Sequence, residues 1–130
     1  MTVVAVGAVV PEAIGAAREL SDAGIPCDVV CLTSPDLIFR ALQARQGLGD
    51  GEPEILDQLF PASRASPIVT VLDGHPHTLS FLSAIRCTPI ACLGVSAFGQ
   101  SGDVADLYQH FGLDTDTIVG AAIDLIEGLP

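Results

Sequence analysis

The segment that decides the fold reads Pro89-Ile90-Ala91-Cys92-Leu93-Gly94-Val95-Ser96-Ala97-Phe98-Gly99-Gln100-Ser101-Gly102, an apolar run that passes directly into small residues. An apolar run bounded by turn residues is typical of a strand that is covered on both faces, as in parallel sheets under helices. Asp103 can cap a helix that follows this segment, and Gly112 can end that helix. The segment therefore predicts a buried strand that leads into a helix.

The same alternation of strand and helix runs through the rest of the chain. Three more apolar runs predict strands at Thr2–Val6, at residues 27–32 and at residues 67–72. Helices are predicted from Pro11 to a stop at Gly24, over residues 34–46, 54–60 and 78–86, and from a cap at Asp114 onward. This order predicts an α/β fold of three layers, αβα, in which a parallel sheet of about four strands carries helices on both faces.

Two sets of side chains are expected to be buried. One is the inward face of the first helix, formed by Ile14, Ala17 and Leu20. The other consists of the four cysteines, Cys27, Cys31, Cys87 and Cys92. Because their spacing contains no paired metal-binding motif, we expect buried, reduced thiols rather than a metal site.

Length and charge limit the possible functions. The chain has 130 residues, the size of one domain, so residues 1–130 are expected to form a single unit. It carries five arginines and no lysine against 16 acidic residues, a net charge of −11, which argues against nucleic acid or an anionic membrane as a partner. No stretch approaches the ~20 apolar residues of a membrane span, and the start lacks the basic leader of a signal peptide. We therefore expect a cytoplasmic protein.

A wider pattern surrounds the opening segment. Residues 98–101 are followed by Leu107, Phe111, Asp114 and Ile118 at the spacing of the closing motif of the transketolase C-terminal domain, which this part of the chain resembles. Within that family it is most similar to the homodimeric decarboxylase component of pyruvate dehydrogenase. The family shows Asp-Gly before Phe-Gly and Arg after it, where this chain has Ser-Ala and Gln.

The resemblance covers nearly the whole chain. Residues 3–8, 13–20 and 24–30 are similar to the family's first strand, glycine turn, alanine-rich helix and second strand. Leu59-Phe60-Pro61 is similar to the segment before the third strand in pyruvate dehydrogenase. In the family an antiparallel edge strand precedes the part that matches Thr2. The resemblance thus implies four parallel strands here, in the order 2-1-3-4, with the second strand at an unpaired edge.

The resemblance also implies a function. The chain would be the assembly and dimerisation domain of a thiamine-diphosphate-dependent 2-oxo acid dehydrogenase, an oxidoreductase such as pyruvate dehydrogenase, or of a transketolase-like enzyme. Thiamine diphosphate and Mg²⁺ would bind to the two preceding domains, so no catalytic, cofactor-binding or metal residue is assigned here and the isolated chain is expected to be inactive. The implied partners are the remaining domains and a second copy in a homodimer, with the lipoyl acyltransferase as a further candidate.

One surface carries side chains suited to chemistry. Asp73, His75 and His77 follow the third strand, so they should lie at the carboxyl edge of the sheet, where α/β folds bind ligands. The histidines can serve as acids, bases or metal ligands, while a polar turn with a cap at Thr78 explains the same residues without function. With the loop after the fourth strand they form what we call the candidate surface: Asp73, His75, His77, Ser96, Phe98, Gly99, Gln100 and Ser101.

Phe98, flanked by small residues, is expected to be a structural anchor rather than a reactive group.

Two alternatives to the assembly domain remain open at this stage. The chain can also be a free-standing, non-catalytic module that binds a ligand or a protein at the candidate surface. A weaker alternative is a small hydrolase that uses a cysteine or a serine with His75 or His77, although no Gly-x-Ser-x-Gly elbow is present.

Overall fold

A four-stranded parallel sheet forms the centre of the molecule in the computed structural model, which describes residues 1–97, 99 and 101–128. The strands are β1 (Thr2–Val6), β2 (Asp28–Cys31), β3 (Ile68–Leu72) and β4 (Ile90–Leu93). They lie in the order β2-β1-β3-β4, and each neighbouring pair is parallel. The predicted α/β class, strand number and strand order are confirmed.

Helices cover both faces of this sheet. They are α1 (Val10–Asp22), α2 (Pro35–Arg45), α3 (Glu54–Leu59), α4 (Ser83–Arg86), α5 (Val104–Phe111) and α6 (Thr115–Glu127), with short 3₁₀ helices at Gly7–Val9, Ala62–Arg64 and Pro76–Leu82. In the described part of the chain, no helix has the length and apolar character needed to cross a membrane.

The segment predicted as one helix over residues 78–86 is different in the structure. It begins as the 3₁₀ helix Pro76–Leu82 and becomes α-helical only in α4. Its buried side chains are Leu79, Leu82 and Ile85, which recur every third residue. A 3₁₀ helix has three residues per turn, so this spacing aligns Leu79 and Leu82 against the sheet, and Ile85 follows them in the first turn of α4.

Two separate apolar cores lie above and below the sheet. The first joins one face to α2, α3, the helix Pro76–Leu82 and α4 through Val4, Leu32, Ile38, Ala41, Leu42, Leu56, Phe60, Ile68, Leu72, Leu79, Leu82 and Ile85. The second joins the other face to α1 and α6 through Val3, Ala5, Val9, Ala13, Ala16, Leu20, Val69, Val71, Leu113, Ile118 and Ala122.

Burial differs sharply between the strands. Every residue of β3 is buried, whereas every residue of β4 is only partly buried. The prediction of a buried strand in the opening segment is therefore wrong, although both cores contact β4, through Ile90 on one face and through Ala91 and Leu93 on the other. β4 lies at the edge of the sheet, where the helices cover its apolar side chains incompletely.

The caps of α5 and α6 are formed by the residues that the sequence predicts. The Asp103 carboxylate accepts a hydrogen bond from the Val104 amide at 2.9 Å, and Gly112 ends α5 in a left-handed conformation. Asp114 caps α6 by accepting hydrogen bonds from the Thr117 amide and hydroxyl.

A contact between the first and last helices was not predicted. Glu12 of α1 accepts hydrogen bonds from the amide and the hydroxyl of Thr115, at 3.0 and 2.7 Å.

The cysteines are less buried than expected. All four are free thiols; Cys27 and Cys92 are partly buried, while Cys31 and Cys87 are exposed. Cys31 lies on the edge strand β2, and Cys87 follows α4 in a left-handed conformation with φ 54°. Burial is the main cause that raises the pKa of the Cys27 thiol. The prediction of buried thiols is wrong for Cys31 and Cys87.

Thr70, at the centre of β3, provides a test of the core. Its side chain is fully buried, and its hydroxyl has no hydrogen-bond partner among the described residues. Thr70→Val keeps the shape and removes the unpaired hydroxyl, so we expect the free energy of unfolding to rise by about 1 kcal/mol. Urea denaturation would measure the change. Thr70→Ala should be less stable than Thr70→Val by about 2 kcal/mol, because it leaves a cavity. A valine variant less stable than the wild type would contradict this account.

Candidate functional site

The loops that follow β3 and β4 lie side by side at the carboxyl edge of the sheet. The Val95 amide donates a hydrogen bond to the Gly74 carbonyl oxygen at 2.7 Å. A Cβ atom at Gly94 would lie 2.5 Å from the same oxygen and 2.8 Å from the Pro76 nitrogen. Glycine is therefore needed at residue 94 because the two backbones touch there.

This contact brings the two halves of the candidate surface together. Asp73, His75, His77, Ser96, Gly99 and Ser101 are all exposed along this edge. Phe98 and Gln100 lie outside the described residues, so the anchor role expected for Phe98 stays a prediction. Exposure leaves the polar groups of both loops accessible from solvent.

His75 and His77 contact each other directly. The Nδ1 atoms of the two rings are 2.5 Å apart, and the ring centroids are separated by 4.4 Å. The His75 Nδ1 also accepts a hydrogen bond from the His77 backbone amide at 3.3 Å, so His75, and not Thr78 as expected, caps the helix Pro76–Leu82. One of the two Nδ1 atoms donates the hydrogen bond between the rings and the other accepts it.

An apolar cleft continues the candidate surface toward α5. Its volume is ≈ 430 Å³, and it is lined by Ala8, Asp73, Val95, Gly99, Val104, Leu107, Tyr108, Phe111 and Leu113. The α5 side chains were not among the site residues expected from the sequence. The signal was present in the spacing of Leu107, Tyr108 and Phe111, which places them on one side of a helix. The cleft combines apolar walls with one carboxylate.

Most paired arginines lie near the opposite, amino edge of the sheet. Arg86, just before β4, and Arg45 both pair with Asp57 of α3, and the hydrogen bond from Arg86 is the main cause that lowers the pKa of that carboxyl. Arg64 pairs with Asp28 at the start of β2 at 3.1 Å. These ion pairs lie at the opposite end of the strands from the candidate surface. The candidate surface carries the carboxylate of Asp73.

The residues do not fit a thiamine diphosphate site. Among the described side chains, no three His, Cys, Asp or Glu groups converge on a point that could hold a metal ion. The two Asp-Gly pairs have structural explanations. A Cβ at Gly51 would lie 2.5 Å from the Arg40 carbonyl oxygen, and Gly74 accepts the hydrogen bond from Val95. Gly51 thus permits a close backbone contact, and Gly74 supplies a carbonyl oxygen to the neighbouring loop; both pairs are explained by structure.

The geometry also bears on the hydrolase alternative. Ser80 donates its hydroxyl hydrogen bond to the His77 backbone carbonyl at 2.7 Å, not to an imidazole. Within the described ranges, no serine hydroxyl or cysteine thiol is hydrogen-bonded to either ring of the histidine pair. A nucleophile paired with a base, which such a reaction needs, is therefore not formed by these residues.

Comparison with known proteins identifies similar sequences. Residues 1–114 match the model of the family described as "Transketolase-like TK C-terminal domain". The chain is 30% identical over 127 residues to the chromosomal transketolase of Cupriavidus necator, covering 98% of this chain and 17% of that protein. It is also 30% identical over 118 residues to transketolase 2 of Xanthobacter flavus, covering 91% of this chain and 15% of that protein.

Solved structures show the same fold. A split-gene transketolase described as an inactive β4 tetramer superposes with a TM-score of 0.69 at 21% identity, over 97% of this chain and 39% of that one. The transketolase of Campylobacter jejuni gives a TM-score of 0.62 at 22% identity, over 95% of this chain and 16% of that one. The chain thus spans a small part of each relative.

Gly94 tests whether contact between the two loops supports the site. Gly94→Ala would place a methyl group against the backbone of Gly74 and Pro76, so we expect a loss of about 1–3 kcal/mol in the free energy of unfolding. Gly99→Ala in the same loop is the matched control, because a Cβ there has nothing within 4 Å. Chemical denaturation of both variants compares them. Equal stability of Gly94→Ala and the wild type would show that the loops are not in contact.

Proposed function

Because the chain belongs to the transketolase-like TK C-terminal domain family, we propose that it is the C-terminal domain of a thiamine-diphosphate-dependent, transketolase-like enzyme and that its role is assembly. The observation that carries this proposal is the extent of the match, which includes 98% of this chain but 17% of a transketolase. That proportion fits one domain, residues 1–130, within a larger enzyme. The remaining domains and a second copy of the enzyme are the proposed partners.

The chemistry of the parent enzyme would come from elsewhere. Thiamine diphosphate and Mg²⁺ would bind in the preceding domains, and neither Asp-Gly pair of this chain fits them. The relatives are named transketolases, which favours a transketolase parent. A pyruvate dehydrogenase parent, with a lipoyl acyltransferase as its partner, is the second candidate, supported by the similarity of residues 59–61 and 98–101 described above.

The exposed edge of β2 is the surface that we assign to assembly. The amides of Asp28 and Leu32 donate hydrogen bonds to carbonyl oxygens of β1, at 3.0 and 2.9 Å. Since amides alternate in direction along a parallel strand, those of Val29 and Cys31 point away from the sheet. Unpaired edge amides are suited to receiving another strand.

A groove beside this edge adds apolar area to it. Its volume is ≈ 410 Å³, and it is lined by Ile14, Ala17, Arg18, Ser21, Asp22, Cys27 and Val29. Ile14 is 39% exposed, so the prediction that it faces inward is wrong. Ala17 and Leu20 are buried as predicted, together with Ala13 and Ala16. The exposed Ile14 supports an edge that is covered in the complete enzyme.

The free-standing binding module remains a third candidate, because the cleft beside Asp73 has the size and apolar lining of a ligand site. The assembly proposal and the binding-module proposal predict different effects of mutation. Assembly depends on the β2 edge, whereas ligand binding depends on the opposite region around β3, β4 and α5. Variants at the two places therefore distinguish them.

Cofactor binding tests the assignment of chemistry to other domains. Calorimetric titration of the isolated chain with thiamine diphosphate in the presence of Mg²⁺ should give no saturable heat, because the described residues supply no diphosphate cradle. The same preparation should decarboxylate no 2-oxo acid and transfer no ketol group. Saturable binding in the micromolar range would contradict the proposal.

Self-association of the chain tests whether the exposed edge of β2 mediates assembly. Sedimentation velocity under reducing conditions should show concentration-dependent association of the wild type. Cys31→Pro removes an outward amide and should weaken this association at least several-fold while the fold remains. Cys31→Ser is the control for loss of the thiol, and Val30→Pro, which removes an amide that faces β1, should unfold the chain. A strictly monomeric wild type, or unchanged association of Cys31→Pro, would count against the edge.

A further inference from the structure

We propose that His75 and His77 form a two-imidazole chelate for a divalent late transition-metal ion, which is bound through their two Nδ1 atoms. This site lies at the carboxyl edge of the sheet and goes beyond the proposed role in assembly. Solvent would supply the other ligands, since both histidines are exposed. A pair of imidazoles is a ligand set that Cu²⁺, Ni²⁺ and Zn²⁺ accept.

The two nitrogens lie close enough for a small movement of the rings to bring both to one ion. The Nδ1 atoms converge to 2.5 Å. With metal–nitrogen bonds of about 2.0–2.1 Å, ligands at a right angle are about 2.9 Å apart and tetrahedral ligands about 3.4 Å apart. Both arrangements require the two nitrogens to move apart from their hydrogen-bonded contact, so the rings must turn to present both lone pairs to one ion.

The backbone holds the two rings in place for such a chelate. Pro76 lies between them and restricts the backbone of this turn, and its nitrogen lies against Gly94 in the neighbouring loop. His75 is in an extended conformation with φ −68° and ψ 130°, which places its ring over the first turn of the helix Pro76–Leu82. The ion would replace one proton and a single 3.3 Å hydrogen bond from the His77 amide.

The negative charge of the chain favours cation binding at His75 and His77. The Asp73 carboxylate lies two residues before His75, and the chain as a whole has a net charge of −11. Arg45, Arg64 and Arg86 are paired with acids near the amino edge. A negative surface without these cations raises the local concentration of metal ions.

A simpler explanation of the same contact is that the histidine pair only closes the turn. In that case the Nδ1–H···Nδ1 hydrogen bond stabilises the start of the helix, and the pair has no affinity for metal ions. The two explanations differ in one measurable property, which is saturable binding that requires both imidazoles.

Calorimetric titration with NiCl₂ distinguishes them. The protein should be free of tags and carry Cys31→Ser and Cys87→Ser, so that exposed thiols cannot bind the metal. We expect one site per chain, with affinity reduced at least tenfold by His75→Gln and by His77→Gln. His110→Gln is the matched control, because His110 is exposed on α5 and lies outside the pair. This control should bind Ni²⁺ like the Cys31→Ser, Cys87→Ser background.

Two further measurements keep the result interpretable. Thermal unfolding without metal shows whether each variant folds, and added Ni²⁺ should raise the melting temperature of the background and of His110→Gln but not of the histidine-pair variants. Paramagnetic broadening of amide signals should centre on residues 73–77. Absence of saturable binding, or binding that survives both substitutions in the pair, would overturn the proposal. Either result leaves the association measurements at the β2 edge unaffected.

Discussion

Complete burial of β3 is the constraint on which the rest of the structure depends. A strand with no exposed face must have neighbours on both sides and helices above and below it, and β3 has β1, β4 and two apolar cores in these places. The parallel register then fixes where the chain leaves the sheet. Asp73 emerges between the ends of β1 and β4, so the loops that carry polar side chains must meet at the carboxyl edge.

Sequence reasoning predicted the layers and the strand order because apolar runs and caps are local signals. It could not rank the strands by burial, since β3 and β4 are equally apolar and only the finished sheet decides which one lies at an edge. It likewise treated residues 78–86 as an α-helix, although the three-residue spacing of Leu79, Leu82 and Ile85 agrees with the 3₁₀ form that begins at Pro76.

At the candidate surface, too, the placement of the loops could be predicted from the sequence, whereas the side-chain contacts could not. That the Asp73 and Ser96 loops share one edge follows from parallel strands, and the backbone contact at Gly94 agrees with it. The direct contact between the rings of His75 and His77 depends on side-chain torsions, which a sequence does not specify. The cleft against α5 was missed because its walls are ordinary core residue types, and only their arrangement around Asp73 makes a cavity. A transketolase-like domain thus keeps its polar groups at the periphery of an apolar scaffold.

The contact between Glu12 and Thr115 has a consequence for how the chain is made. The two residues are 103 positions apart, and their hydrogen bonds join the first helix to the last one. The amino-terminal half therefore cannot complete its own core while it emerges from the ribosome, because α6 is still to be synthesised. Contacts between distant parts of a chain form late and slow the final step of folding. During translation the apolar face of α1 would stay uncovered until α6 has been synthesised.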